Sequence, residues 1–243
     1  MRNVFLMALL LACTPLQALE LRSGETRATL LELFTSEGCS SCPPADRWYT
    51  SLQTHPRLWQ DLVPVAFHVD YWNYLGWDDR FSHVDYARRQ RSFKAEGAAS
   101  AVYTPGVMAL GREWRDWRYR PGKPPVSSDA SGVLSLSLSG DRVVAQFDPA
   151  TTIPDQLELH IAVLGFGLMT PVKAGENRGE LLRHDFVVLG HRRAPGDGNW
   201  ELELPDSPYT EQASRLALAA WVSPRGSVQP LQAVGGWLDV PDS

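Results

Sequence analysis

The sequence predicts an α/β domain followed by an all-β antiparallel sandwich, on three observations. First, an apolar run from Ala28 to Phe34 leads through Gly38 into Cys39-Ser40-Ser41-Cys42 and then a helix-compatible stretch: strand, CxxC, helix. Second, Val63 to Val69 is a near-continuous apolar run, which suits a central parallel strand covered on both faces. Third, beyond Pro121-Gly122-Lys123-Pro124-Pro125 the pattern changes to an alternation of period two. That stretch is the expected boundary, with an α/β domain over 19–120, a linker over 121–125 and a sandwich over 126–243.

Taken in order, residues 1–18 have the makings of an export signal. Arg2 supplies the positive start, Val4 to Ala12 the apolar core, and Ala18 a small residue at the cleavage point. The apolar run is too short to span a bilayer, so a periplasmic or secreted protein is expected. A competing reading makes Leu10-Leu11-Ala12-Cys13 a lipoprotein signal with a lipid on Cys13, although Leu11 fits that pattern poorly. A formal charge of −5 and the absence of a basic stripe argue against a nucleic-acid partner. The arginines at Arg88 to Arg91 and Arg112 to Arg120 are interrupted by acids and tryptophan and read as solvated faces.

The cysteine pair carries the chemistry. A helix amino terminus presents free N–H groups and about half a positive charge, which favours a thiolate. Cys39 is therefore the expected nucleophile and Cys42, one turn on, the resolving thiol. Pro43 and Pro44 suit the first helical positions, where a missing N–H costs nothing. Two alternatives stand beside redox chemistry. The pair can be a structural disulfide, or part of a soft-metal site for Cu(I) with His68 or His83. No second CxxC and no HxxxH accompanies it, so neither a metal nor a cofactor is expected.

The helix is expected over Ala45 to Leu58 and ends at His55-Pro56. His68, inside the Val63 to Val69 strand, reads as a satisfied core residue. The segment Asp70 to Asp79 holds four aromatics and three aspartates, and is either a substrate lip or a cluster that pins a long loop. A polar helix follows over Ser82 to Glu96. Next, Tyr103-Thr104-Pro105 precedes a short apolar strand, where proline is a poor ladder residue but well placed for a cis bond at a turn.

Several separate segments now agree with one family: Leu31 to Asp46, His68-Val69-Asp70-Tyr71-Trp72 with Leu75-Gly76-Trp77, Arg89-Gln90-Arg91, Tyr103-Thr104-Pro105, and later Gly175 to Val188. The chain resembles the exported, thioredoxin-like family catalogued as domain of unknown function 1223. That resemblance implies a thioredoxin-like α/β domain with Cys39 and Cys42 at its active edge. In thioredoxin-like folds a cis-proline of this kind faces the CxxC, so Tyr103, Thr104 and Pro105 are the expected substrate platform, with Trp72 of the aromatic lip as a further substrate-binding candidate. Relative to thioredoxin the domain is truncated after Gly111 and carries an insertion between Asp70 and Pro105. Glu32 is a candidate proton shuttle, shifted by one residue from the buried acid of thioredoxin, and one residue decides which face of a strand it occupies.

In the second half, Leu134, Leu136 and Leu138 alternate with serines, and Gly140-Asp141 turns the chain into Val143, Ala145 and Phe147. Further runs at 157–164, 181–189, 200–204, 216–222 and 228–234 complete about seven strands. His160 reads as a surface residue beside Glu158, and the polar Gly175 to Val188 segment, with its Glu, Asn, Arg and His, either contacts a substrate or the first domain or is a glycine-bearing loop entering a strand. The functional expectation is an exported thiol-disulfide oxidoreductase acting on protein or small-molecule thiols. The alternatives are a copper-binding module, or a binding protein whose cysteines only staple the fold.

Overall fold

A computed structural model describes residues 18–120, 122–154 and 156–238. The export signal and Cys13 fall outside them, apart from Ala18. Strand β1 (Leu19–Arg22) is followed by β2 (Thr29–Thr35), helix α1 (Pro43–Ser51) and β3 (Leu62–His68). Helix α2 (Val84–Ala95) leads to β4 (Gly106–Ala109) and β5 (Arg112–Glu113). The remaining chain forms β6 (Gly132–Ser139), β7 (Arg142–Pro149), β8 (Leu157–Phe166), β9 (Leu168–Pro171), β10 (Leu181–His184), β11 (Val187–Gly196), β12 (Asn199–Glu203), β13 (Arg215–Pro224) and β14 (Gln232–Leu238).

The predicted fold class needs correcting. The chain is mostly β, with 42% strand against 15% helix, and its layout is largely that of a sandwich rather than an α/β thioredoxin-like domain beside a separate one. One eight-stranded sheet runs β14-β13-β8-β11-β3-β2-β4-β5, so strands from both sides of residues 121–125 share a single hydrogen-bonded layer. Strand β2 pairs with β3 in parallel and with β4 antiparallel. Strands β13 and β8, antiparallel to each other, connect through β11 to β3. A four-stranded sheet, β1-β6-β7-β12, and the small β9–β10 ribbon complete the described strands. The proline stretch is also tied down, because Thr29 Oγ1 donates to Pro125 O and Arg57 Nη1 to Pro124 O.

The physical reason for the fusion lies in β8 and β13. Leu157, Leu159 and Ile161 with Leu218, Ala220 and Val222 pack against Leu134, Leu136 and Phe147 of the smaller sheet. The alternate residues Ala162, Leu164 and Phe166 with Ala217, Ala219 and Trp221 join the core built on β2, β3 and the helices. Successive side chains of a strand point to opposite faces, so these two strands are apolar on both. A strand of that kind must be covered on both faces. Burying one face against β6 and β7 leaves the other for the first half of the chain. Phe34, Phe67, Phe93 and Trp221 are fully buried there, each contributing roughly 1.5–3 kcal/mol of apolar burial.

Candidate functional site

The CxxC forms as the chain leaves β2. Cys39 and Cys42 are joined in a disulfide. The Cys39 N–H donates to Ser36 O and the Cys42 N–H to Cys39 O, a turn that delivers the chain into α1. Cys42 is the N-cap, and Pro43 and Pro44 occupy the first helical positions. The cysteine at the helix start is thus Cys42, and the expected nucleophile Cys39 sits one turn ahead of it.

This turn is covered. Cys39 is 1% exposed and Cys42 fully buried. Gly38 lies against Trp72, where a β-carbon would come within 2.9 Å of Trp72 Cβ; only glycine permits that approach. Trp72 Nε1 donates to Thr104 Oγ1 at 2.7 Å, across the cis Thr104–Pro105 bond. Gln90 of α2 donates to Tyr103 O and accepts from the Tyr71 hydroxyl. The four residues expected at the substrate platform, Trp72, Tyr103, Thr104 and Pro105, are therefore held together at the open ends of β2 and β4. From the far half of the chain, Asn177 Nδ2 donates to Glu37 O and Cys39 O, and Glu176 accepts from both the N–H and hydroxyl of Ser40. Of the two readings of the Gly175 to Glu180 loop, contact with the first domain is the one seen: it is a strap over the disulfide turn.

Behind the turn lies a buried polar cluster that sequence reasoning did not assemble. Thr35 donates to Asp46, which sits four residues after Cys42 on α1. Asp79 accepts the Glu37 N–H and pairs with His68 Nδ1 at 2.7 Å. Trp77 Nε1 donates to Glu37 Oε2, and His184 Nε2 lies 3.4 Å from Glu37 Oε1. Burial opposes the charge on His68, but Asp79, Asp46 and Glu37 outweigh it and bring the imidazole up to about 8. Asp79 is pushed up by burial yet ends below the ordinary carboxylate range because of His68. Burial raises the Asp46 carboxyl, against the pull of His184 and His68. The Asp70 to Asp79 and Gly175 to Val188 segments are the sequence signals that hold Asp79 and His184, but nothing in the sequence pairs either with Glu37, Asp46 or His68.

Other expected residues are placed elsewhere. Glu32 faces away from α1: Thr35, of opposite parity on β2, contacts that helix, whereas Glu32 takes a bidentate pair from Arg89 of α2. It is not aimed at the cysteines. His68 is spent on Asp79, and His83 is the N-cap of α2, accepting from the Asp85 N–H. Among the described residues no group of three or more His, Cys, Asp or Glu is arranged to hold a metal ion. His160, expected at the surface, is 2% exposed, stacked on Trp221 at 4.8 Å and on His191 at 5.3 Å. The segment Asp70 to Asp79 pins rather than projects, since Trp72, Trp77 and Asp79 all reach inward to the disulfide turn or its neighbours.

Comparisons with known proteins extend over most of the chain. The solved structure of protein AGR_C_4864 from Agrobacterium tumefaciens superposes with a TM-score of 0.58 at 24% identity, covering 89% of this chain and 96% of that one. HBP35 of Porphyromonas gingivalis superposes with a TM-score of 0.52 at 14% identity, covering 89% of this chain and 77% of that one. At such identities the likeness concerns the fold. Curated proteins offer no match. The family model for "Protein of unknown function (DUF1223)" matches residues 30–223, a span from β2 to β13 that takes in the disulfide turn and the strap, and the chain belongs to that family.

Proposed function

We propose that this chain is an exported thiol-disulfide oxidoreductase acting on protein or small-molecule thiols through Cys39 and Cys42. The observation that carries the reading is the Cys39–Cys42 disulfide closing the turn into α1, with Trp72 packed against Gly38 of that turn and hydrogen-bonded to Thr104. In the oxidising direction, whose reverse is substrate reduction and which the reduction potential selects, a substrate thiolate attacks Cys39 Sγ, the Sγ–Sγ bond breaks, and Cys42 leaves as a thiolate that takes up a proton. A second substrate thiolate then attacks the mixed disulfide and releases Cys39, so two electrons pass from the substrate dithiol to the cysteine pair. The helix start at Cys42 favours the thiolate that must leave first.

A second reading has its own support. Both cysteines are buried under Trp72 and the strap, as a structural staple would be. Equilibration with glutathione buffers and counting of free thiols by mass separates the two. A reduction potential between about −120 and −270 mV, with thiols that alkylate in the folded protein, supports the enzyme. A potential below about −300 mV, or thiols protected until unfolding, overturns it and leaves the staple.

A further inference from the structure

The arginines of 112–120 acquire a context once the fold is known. Arg112, Arg115, Arg118 and Arg120 are all exposed, in a chain whose formal charge is −5. Of the two acids among them, Glu113 is turned inward, taken up by the Tyr103 hydroxyl, by Ser100 and by Arg115. Asp116 is the exposed one. Tyr119, between Arg118 and Arg120, is 86% exposed.

Two concavities lie along this strip, and both border the disulfide turn or the cis bond. One, of about 400 Å³, is lined by Tyr103, Pro105, Arg115, Trp117, Arg118 and Tyr119. The other, of about 520 Å³, is lined by Ser41, Pro44, Trp48, Trp117 and Arg118. They share Trp117 and Arg118. The floor is rigid and apolar, because Trp117 stacks on Trp48 at 5.2 Å with planes 17° apart. The rim is cationic and ordered, with the Arg118 guanidinium 5.1 Å from the Trp117 ring centroid and that of Arg115 5.7 Å from Tyr103. Aromatic floors with arginine rims are the composition of energetically dominant binding patches, and a rim of net positive charge, four exposed arginines against the exposed Asp116 and the inward Glu113, selects a partner of the opposite sign.

We infer that the Arg112–Arg120 strip and its two concavities dock an acidic polypeptide segment bearing an aromatic or large apolar side chain. The apolar side chain seats between Trp117 and Pro44, and the flanking carboxylates meet Arg115 and Arg118. As a docking strip this stands on the geometry above. As the place where a substrate protein presents its cysteine to the disulfide, it rests on the thiol-disulfide reading.

The experiment uses a fluorescein-labelled, cysteine-free peptide of alternating glutamate and phenylalanine, titrated with the oxidised protein and followed by anisotropy. A lysine-phenylalanine peptide of the same length is the comparison. The acidic peptide is expected to bind, with affinity falling as salt rises, and Arg115→Gln/Arg118→Gln is expected to weaken it by about fivefold or more. Arg88→Gln/Arg91→Gln removes equal charge from exposed positions of α2 and is expected to leave binding unchanged. Equal binding of the two peptides, or equal losses in the two double variants, overturns the strip. No thiol takes part, so an inert disulfide would defeat the redox reading without touching this result, and a failed titration would defeat the strip without touching the redox reading.

Discussion

Two groups of histidines occupy opposite faces of the same sheet, and they are tuned in opposite directions. Under the disulfide turn, His68 meets Asp79, Asp46 and Glu37, and its imidazole is brought up to about 8. On the α2 face, burial drives His160 well below its ordinary value, and the charges beside it, Arg89 and Arg193, add to the fall. His191, at the wall of a cavity with Arg89 and Arg193, is lowered by the same causes to about 3. Burial disfavours the charged ring in all three. What differs is the balance of company: carboxylates prevail around His68, whereas Arg89 and Arg193 prevail around His160 and His191 although Glu158 lies 3.4 Å from His160 Nε2. The first face holds a charged imidazole as part of an ion-pair network behind the cysteines; the second holds neutral rings used as flat packing against Trp221.

The strongest test of that contrast is Glu32, the proton-shuttle candidate whose one-residue shift from thioredoxin's buried acid puts it on the arginine face. Its pair with Arg89 is buried, with side-chain exposures of 1% and 9%, and the Arg89 guanidinium also lies over Phe93 and Trp221. Glu32→Ala strands the arginine, and unfolding by urea is expected to show a loss of about 3–5 kcal/mol. The reduction potential of the cysteine pair is expected to stay where it is. A potential that moves with Glu32 while Asp79 variants leave it alone would reverse the assignment of the two faces.

Asp79→Asn acts on the other face and is expected to cost somewhat less, about 2–3 kcal/mol, by removing the charge that holds His68. The amide can still accept the Glu37 N–H through its oxygen, so the disulfide turn is expected to keep its shape. The distinguishing readout is pH. His68 in the folded protein is raised to about 8 from an ordinary 6.5. Its contribution is fully present below pH 6.5 and is lost as pH rises through 8, about 2 kcal/mol in all. Urea midpoints at pH 7.5, 8, 8.5 and 9, above the range in which the lowered His160 and His191 still add to the slope, should fall for the wild type and stay level for Asp79→Asn. A wild-type midpoint that does not fall across this window refutes the charged imidazole.

How much of this was legible in the sequence depends on how far apart the partners are. The disulfide turn was readable because the determinants that mark it are local: Gly38 at the turn, the CxxC spacing, and Pro43-Pro44 at the helix start. The Thr104–Pro105 turn was readable for the same reason. The cluster behind the turn was not, since His184 ends β10 of the small ribbon while Glu37 follows β2 of the large sheet, and no local rule brings residue 184 to residue 37. Asn177 reaches Cys39 from 138 positions away. The fold class failed on a single feature of β8 and β13. Their sequences, LELHIAVLGF and RLALAAWVSP, carry apolar residues at both parities, the mark of strands covered on both faces. His160 beside Glu158 made β8 look half-polar. A histidine that is neutral and stacked behaves as an aromatic ring, and counting it as polar hid the second core.

That last point gives the smallest expected effect and the sharpest contrast in sign. His191 packs edge-on against Phe67 at 5.8 Å and stacks on Trp221 at 5.4 Å, with one hydrogen bond to His160. A phenylalanine preserves the ring contacts and forfeits that bond, so His191→Phe is expected to cost no more than about 1 kcal/mol at pH 7.5. Its pH dependence runs opposite to that of His68. A folded pKa lowered to about 3 means that the unfolded state takes up the proton first as pH falls below 6.5, so the wild type loses stability on the acid side while the variant is spared this loss. At pH 5 the gap between variant and wild type should therefore narrow or reverse, whereas at pH 8.5, where His68 has lost its proton in both, it should equal the gap at 7.5. A gap that widens on acidification would mean that His191 is charged in the folded protein, and the two faces would then be alike.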